Sequence, residues 1–165
     1  MSIEIRPVEA ADAPSIAEIY RPIVESTTIS FEEIAPDAGE IAQRIARVSS
    51  AYPWFVAVRD AEVCGYAYGS RHRVRAAYRF SADVSVYVAE HARGMRVASR
   101  LYEAVLARLG EIGMHRAFAG IALPNGASLA LHRSMGFESV GIYKEAGRKF
   151  GKWIDVQWKI GRAHV

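Results

Sequence analysis

The residues best suited to chemistry lie in a turn between a β-branched segment and an amphipathic one. Val84, Val86 and Val88 alternate as in a strand, and Arg93–Ala98 (Arg-Gly-Met-Arg-Val-Ala) then leads into apolar residues at helical spacing. A strand, a glycine-bearing turn and a helix start bring free backbone N–H groups to the positive end of a helix dipole. This arrangement binds phosphate, although an ordinary connection with solvated arginines fits the same pattern.

Two titratable side chains could move protons. Asp83 stands where a later strand begins, and a carboxylate there can accept a proton directly or through water. The alternative is a solvated aspartate at a strand end. His132 lies near the end of a predicted helix, and its ordinary pKa of about 6.5 suits proton relay near neutrality. A purely structural histidine fits equally well.

Metal and hydrolase chemistry find no support in the sequence. The histidines lack ligand spacing, and they are His72, His91, His115, His132 and His164. A Gly-x-Ser-x-Gly elbow is absent from the sequence, so a Ser-His-Asp hydrolase is not indicated. We therefore expect no metal site.

A basic cluster lies in one short loop between two predicted strands. Its members are Arg71, His72, Arg73, Arg75 and Arg79. Such a cluster can bind nucleic acid, but the chain has no zinc-finger, helix-turn-helix or RNA-binding signature. We therefore expect an anionic small molecule as the partner, and no nucleic acid.

Composition indicates one globular domain over residues 1–165. The hydrophobic content is 51% and the charged content 24%, ordinary values for a globular protein. No apolar run approaches the roughly 18–20 residues that span a bilayer, and the first residues lack signal-peptide character. The single cysteine, Cys64, excludes an internal disulfide framework. We expect a cytoplasmic protein without membrane attachment.

Hydrophobic periodicity predicts the elements that position these residues. The first part of the chain reads as a strand at Ile3–Pro7, a helix capped by Asp12 and a second helix at 37–48. Predicted strands follow at 54–59, 63–69 and 82–88, and a helix runs from 97 to about 112. The last elements are a strand at 118–123, a helix at 128–135 and strands at 138–143 and 154–159. The order is β-α-α-β-β-β-α-β-α-β-β, which favours a mixed sheet.

Several segments resemble one family of enzymes. The turn at 93–99 after a valine-rich strand is similar to the pyrophosphate loop of the GNAT superfamily of N-acetyltransferases. The likeness is closer to one branch, the phosphinothricin and methionine-sulfoximine acetyltransferases. It is carried by Thr28–Glu32, Tyr52–Trp54, Ser85–Val88, Leu123–Ser128, Leu131–Phe137 and Lys149–Asp155. The resemblance covers Ile3 to about Ile160. One departure is Arg96, where the family usually has glycine.

The resemblance implies an α/β fold with a mixed sheet, the acyl-CoA N-acyltransferase fold. It implies an acetyl-CoA-dependent N-acetyltransferase that acetylates the amino group of a small amino-acid-like substrate, by direct attack in a ternary complex. It also implies a homodimer. Alternatives that stay open are a non-catalytic acyl-CoA-binding module and an acetyltransferase that acts on a protein or peptide amine.

The resemblance also assigns site residues. It implies Asp83 as the base, where the family usually has glutamate, and His132 as the acid. The acetyl-CoA-binding residues would be Val86, Tyr87, Val88, Arg93, Gly94, Met95, Arg96, Val97, Ala98, Ser99, Asn125 and Ser134. Arg73 and Arg75 would hold the substrate carboxylate, because guanidinium offers a two-pronged donor. Phe31 and Tyr78 would form an apolar wall.

Overall fold

A mixed sheet of seven strands forms the centre of the fold in the computed structural model, which describes residues 2–163. The strands are β1 (Glu4–Pro7), β2 (Trp54–Arg59), β3 (Glu62–Arg71), β4 (Ser81–Val88), β5 (Arg116–Ala122), β6 (Glu138–Lys149) and β7 (Lys152–Arg162). The α-helices within these residues are α1 (Ala13–Ser26), α2 (Ala38–Ser49), α3 (Val97–Glu111) and α4 (Gly126–Ser134). The predicted element order and the mixed α/β fold class are confirmed.

The sheet opens at its one parallel pair of neighbouring strands. The strand order is β1-β2-β3-β4-β5-β7-β6, and within the described residues every pair except β4–β5 is antiparallel. β4 and β5 pair only from Ser81 to Asp83 on one side and from Arg116 to Phe118 on the other. Beyond Asp83 the two strands diverge, and their facing edges bound a cleft.

Helices cover both faces of the sheet. On one face α3 packs Leu101, Val105 and Leu109 against the sheet, and all three are fully buried. On the other face α1 and α2 pack against the sheet through residues such as Ile16 and Ile41. The two-residue alternation of β4 therefore sends its valine side chains towards α3, and those of Asp83, Ser85 and Tyr87 towards the opposite face.

Two local predictions need correction. The last two strands were predicted at 138–143 and 154–159, but they extend over Glu138–Lys149 and Lys152–Arg162 as one long hairpin. Asp12 precedes α1 as predicted, yet its carboxylate does not cap that helix. It accepts two bonds of 2.9 Å from the guanidinium of Arg6 and one of 2.8 Å from the backbone N–H of Glu9.

Residues 2–163 contain neither a membrane-spanning helix nor a cluster of metal ligands. None of the helices in this range has both the length and the apolar character needed to cross a lipid bilayer. No group of three or more His, Cys, Asp or Glu side chains in this range is arranged to hold a metal ion. His164, named among the histidines without ligand spacing, lies outside the described residues.

Candidate active site

The turn before α3 leaves backbone N–H groups outside the hydrogen-bond ladder of the helix. Gly94 and Arg96 both have positive φ, +78° and +59°. The first backbone bond of α3 runs from Arg100 N to Arg96 O at 3.2 Å, so the amides of 97–99 precede the ladder of the helix. The left-handed backbone of Arg96 costs about 1–2 kcal/mol for a residue with a Cβ. This cost explains physically why glycine suits the position.

The edge of β4 that faces the cleft carries backbone donors and acceptors. Ala89 N donates to Cys64 O on β3 at 2.8 Å. Because alternate residues of an antiparallel strand bond to the same neighbour, Val84, Val86 and Val88 direct their N–H and C=O groups the other way, towards β5. The ladder with β5 ends at the Asp83–Phe118 pair, so within the described residues the groups of Val86 and Val88 have no partner on β5. An extended amide-bearing chain can therefore lie between the strands and bond as an added strand.

His132 lies at the wall of the cleft and is 3% exposed. Its Nδ1 lies 2.7 Å from Ser128 O, and because a carbonyl only accepts, Nδ1–H is the donor. Burial lowers the pKa of His132, so the ring is neutral at neutral pH and Nε2 accepts. The hydroxyl of Tyr102 therefore donates to Nε2, at 2.9 Å. Tyr102 is 1% exposed.

Asp83 stands at the point where β4 and β5 diverge. Its Oδ1 accepts a hydrogen bond of 2.6 Å from Nδ1 of His72. Desolvation raises the pKa of Asp83, and the hydrogen bond from His72 and the charges of His72 and Arg73 oppose that rise. A carboxylate in this setting holds a proton more readily than a solvated aspartate does.

Asp83 lines a cavity of about 410 Å³ beside the cleft, which we call the central cavity. Its walls include Ser30 and Phe31 from the loop between α1 and α2, and Ser85 and Tyr87 from β4. Further wall residues come from β5, β6 and β7; they are Gly120, Ala122, Tyr143, Ala146, Val156 and Trp158. The central cavity therefore joins a carboxylate to mainly apolar and aromatic walls.

The loop that carries Phe31 is fastened by a buried lysine. Lys149, at the end of β6, is 3% exposed and donates from Nζ to Val24 O and Ser30 O, at 2.7 Å each. The ring of Phe31 lies directly on Gly147 of the same strand. The β6–β7 hairpin thus holds the loop that forms one wall of the central cavity.

A polar network holds the same loop from the helix side. Arg44 of α2 binds Glu32 through two bonds of 2.7 and 2.9 Å. Tyr20 of α1 shares a hydrogen bond of 2.6 Å with Ser30 and donates to Glu32. The Arg44 guanidinium holds the pKa of Glu32 below its ordinary value. Glu32 therefore stays ionised near neutrality, and the loop has charged anchors on both sides.

The predicted substrate residues divide between the cavities and the surrounding loop. Phe31 lines the central cavity, and Arg73 lines a neighbouring side cavity of about 250 Å³ with Phe118, Tyr143 and Trp158. Tyr143 and Trp158 line both cavities.

The remaining predicted contacts lie further out. Tyr78 meets His72 edge to face at 5.8 Å, and Arg75 is exposed on the same loop. Ser134 is exposed, and its hydroxyl bonds back to Leu131 O at 2.6 Å. The amide of Asn125 caps α4 by accepting from Ser128 N at 3.1 Å, and Asn125 also lines the cleft.

Comparison with known proteins decides the family. Residues 5–158 match the acetyltransferase (GNAT) domain. The chain belongs to the GNAT acetyltransferase family. It is an acetyl-CoA-dependent N-acetyltransferase, and its predicted family and fold are confirmed.

Three similar proteins illustrate this GNAT chain's place in the family. A phosphinothricin N-acetyltransferase of Alcaligenes faecalis is 41% identical over 153 residues, covering 92% of this chain and 78% of its own length. An L-methionine sulfoximine/L-methionine sulfone acetyltransferase of Pseudomonas paraeruginosa is 38% identical, covering 94% and 92%. The crystal structure of a Sinorhizobium meliloti phosphinothricin acetyltransferase in complex with AcCoA superposes with a TM-score of 0.94, at 36% identity, covering 99% and 89%.

The hydrogen-bonding groups of the turn before α3 and of the β4 edge fit acetyl-CoA. The amides at the start of α3 precede the helix ladder, and Arg93 and Arg96 add positive charge beside them, as a pyrophosphate requires. The β4 edge from Val84 to Val88 offers the alternating donors and acceptors that an amide-bearing pantetheine arm requires. The two sets follow each other along the chain, which suits one extended ligand.

Two site residues, one half-buried and one buried, were missed by reasoning from the sequence. His72 was grouped with the basic loop, although its side chain is only 9% exposed and bonds to Asp83. Tyr102 was not singled out at all. Its burial was predictable, because it adjoins Leu101 on the apolar stripe of α3, but its bond to His132 joins two helices and leaves no local signal.

Proposed function

We propose that this enzyme acetylates the amino group of a small amino-acid-like substrate of the phosphinothricin or methionine-sulfoximine class. The observation that carries the proposal is the position of Asp83, a carboxylate at the junction of the β4–β5 cleft and the central cavity. A volume of about 410 Å³ suits a small molecule and is far too small for a folded partner. The names of similar proteins point to the same class.

Binding of acetyl-CoA is assigned to the turn at 93–99 and to the β4 edge. The amides at the start of α3 would hold the pyrophosphate, and the guanidinium of Arg96 would pair with a phosphate where the family usually has glycine. Val86 and Val88 would bond to the pantetheine arm through their backbones, with Asn125 opposite. When bound there, acetyl-CoA supplies an activated acetyl thioester. A backbone N–H within Val86–Val88 would stabilise negative charge on its carbonyl oxygen.

Asp83 is proposed as the general base. A substrate ammonium group must lose a proton before its nitrogen can attack, and Asp83 faces the cavity in which that group would lie. Desolvation raises the pKa of Asp83, which makes it a stronger proton acceptor than a solvated aspartate. Burial of Asp83 near the start of β4 thus makes it a suitable base.

His132 and Tyr102 are proposed as the acid pair. A neutral His132 commits its Nδ1 proton to Ser128 O, so the hydroxyl of Tyr102 holds the other proton of the pair, at Nε2. Both side chains line the cleft beside Val86. The acid function proposed for His132 therefore draws its proton from Tyr102: the O–H bond of Tyr102 breaks as an S–H bond forms on the leaving thiolate. Burial raises the pKa of Tyr102, which opposes this transfer.

Arg73 and Arg75 are proposed to recognise the substrate carboxylate. Arg73 lines the side cavity, and Asp83 lines the central cavity. Tyr143 and Trp158 line both cavities, so Arg73 and Asp83 lie on either side of these shared aromatic side chains. An amino acid would then present its amine to Asp83 and its carboxylate to the arginines. A charge-assisted bond of this kind is worth roughly 1.5–3 kcal/mol, about ten- to a hundredfold in affinity.

Thiol release from acetyl-CoA tests the proposal. The panel contains phosphinothricin, methionine sulfoximine, methionine sulfone and methionine, their carboxyl amides, an N-terminal peptide, spermidine and an aminoglycoside. We expect the free acids to turn over fastest and their amides at least tenfold more slowly in kcat/KM, a conservative estimate from the charge-assisted bond. Faster turnover of spermidine, the aminoglycoside or the peptide would refute the substrate class.

We also propose that the chain folds as one domain and acts as a cytoplasmic homodimer. Apolar side chains lie exposed along the β6–β7 hairpin, and they are Val140, Ile142, Tyr143, Phe150 and Trp153. Exposed aromatic and apolar side chains are enriched at protein interfaces. Sedimentation of the purified protein tests this, and Ile142→Glu should shift a dimer towards monomer. A monomeric wild-type protein would contradict it.

A further inference from the structure

The pairing of β3 with β4 places His72 behind the carboxylate of Asp83. His72 follows the last residue of β3, and β3 and β4 are paired so that Arg71 lies opposite Ala82 and Ser70 opposite Asp83. This register places the imidazole beside the start of β4. Nδ1 lies 2.6 Å from Oδ1 of Asp83, a short distance for a hydrogen bond from a ring N–H to an oxygen.

Aromatic packing fixes the ring in that position. His72 stacks on Phe118 of β5, with 4.0 Å between centroids and 10° between planes. The edges of Tyr78 and Trp158 close the other sides, at 5.8 and 6.4 Å. The His72 side chain is only 9% exposed, so it has little freedom to leave the carboxylate.

The geometry separates the two oxygens of Asp83 by role. Oδ1 accepts from His72, while within residues 2–163 Oδ2 makes no hydrogen bond, and the side chain, 27% exposed, lines the central cavity. His72 lines the side cavity instead. The imidazole therefore stands behind the carboxylate, and Oδ2 is the atom that a substrate amine can reach.

We propose that His72 is a positioning residue of the acetyl transfer, which holds Asp83 through Nδ1–H so that Oδ2 accepts the proton of the substrate amine. This inference rests on the function proposed above. In the proton transfer, one N–H bond of the substrate ammonium breaks and an O–H bond forms at Oδ2, and the electron pair of the broken bond stays on the nitrogen. His72 keeps its own proton throughout.

Loss of the N–H donor of His72 should change the protonation of Asp83 in one defined direction. The groups that face the pair are Arg73 on the same loop, Tyr78 on the following turn and Tyr143 on β6; β5 and β7 contribute the uncharged Phe118 and Trp158. The donor of His72 favours the ionised form of Asp83. Its loss disfavours that form, so a larger fraction of Asp83 is protonated at any given acidic pH. The acidic limb of kcat/KM should then move to higher pH.

The test compares His72→Phe with His72→Asn. Phenylalanine retains the stack on Phe118 but has no donor, whereas the asparagine amide places an N–H near the position of Nδ1 and does not titrate. We expect His72→Phe to move the acidic limb up by about one pH unit, the usual effect of a hydrogen bond to a charged group. His72→Asn should return most of that shift. His115→Phe and His115→Asn, at an exposed histidine, should match the wild type.

Asp83→Asn separates this inference from the proposed function. If Asp83→Asn abolishes the acidic limb while His72→Phe leaves it unmoved, the positioning role of His72 is overturned and the base stands. If Asp83→Asn leaves the pH profile unchanged, the proposed base falls, and the role of His72 falls with it.

A measurement on the wild type removes any dependence on the folding of His72→Phe. Nitrogen-15 NMR should show Nδ1 of His72 protonated across neutral pH, with a downfield proton that disappears in Asp83→Asn. An unprotonated Nδ1 would overturn the proposal.

Discussion

Gly147 supports one wall of the central cavity by lacking a side chain. A methyl group built on Gly147 would overlap the ring of Phe31, reaching 2.5 Å from Cζ and 3.0 Å from Cδ2. Gly147 does not have positive φ, so alanine fits the backbone there and the contact with Phe31 is the whole perturbation. Gly147→Ala must therefore move the Phe31 ring, which is 43% exposed and can swing towards solvent.

The size of the effect follows from the area involved. A phenylalanine side chain of about 200 Å² that is a little over half buried can give up at most about 100 Å² of buried area, or about 2.5 kcal/mol of stability at 25 cal/mol per Å². One ring face against a substrate is about half that area, so KM for the amine should rise about tenfold. KM for acetyl-CoA should not change, because Phe31 lines the central cavity and not the turn before α3.

A double-mutant cycle makes the assay decisive. Steady-state kinetics on Gly147→Ala, Phe31→Ala and the double variant give KM for both substrates, and urea unfolding gives stability. Once the ring is absent, Gly147→Ala should have no further effect on KM, so the two changes should be strongly non-additive. Additive effects on KM, or a Gly147→Ala variant with wild-type KM for the amine, would refute the reasoning that Phe31 forms this wall.

Three further predictions concern the turn, the acid pair and the N-terminus. Arg96→Gly should raise the free energy of unfolding by about 1 kcal/mol, because glycine relieves the left-handed backbone. Calorimetry with CoA should show weaker binding for Arg96→Ala than for Arg96→Gly. Equal CoA binding by the wild type and both variants would show that the guanidinium is only solvated. Tyr102→Phe should lower kcat with CoA binding unchanged, and an unaltered kcat would remove the proton source proposed for His132. Arg6 lowers the pKa of Asp12, so the stabilisation from this carboxylate is complete above its unfolded pKa and is lost as the pH falls through the folded pKa. In urea unfolding, Asp12→Asn should therefore lower the free energy of unfolding by about 1–2 kcal/mol at neutral pH and leave it unchanged in acid. An equal loss at both pH values would contradict this dependence on the ionised carboxylate.

Local signals were sufficient for the elements around the cofactor turn. The valines of β4 alternate, the apolar residues of α3 recur at helical spacing, and Gly113 ends the helix region with a φ of +91°. Each signal lies within one short segment, so it can be read without knowing the rest of the fold. The element order then followed from segments of the same kind.

The length of the β6–β7 hairpin could not be predicted from local signals. Residues 144–149, Lys-Glu-Ala-Gly-Arg-Lys, carry charge and glycine and have little preference for a strand. They join the sheet because β7 lies beside them, with Gly147 opposite Ile154 and Lys149 opposite Lys152 after an irregular step past Tyr143, where Glu145 has a φ of +48°. Pairing across the sheet, and not intrinsic preference, decides this segment.

The same physics explains which site residues sequence reasoning can reach. Asp83 was found because a carboxylate at a strand end is a local feature. Its partner His72 was counted in a basic cluster expected to bind an anion, since only the pairing of β3 with β4 turns that side chain inward onto Phe118. Lys149 is the more distant case, because its ammonium is satisfied by Ser30 O, 119 residues away. The turn for the cofactor is therefore readable along the chain, whereas the surroundings of the base exist only once the sheet has formed.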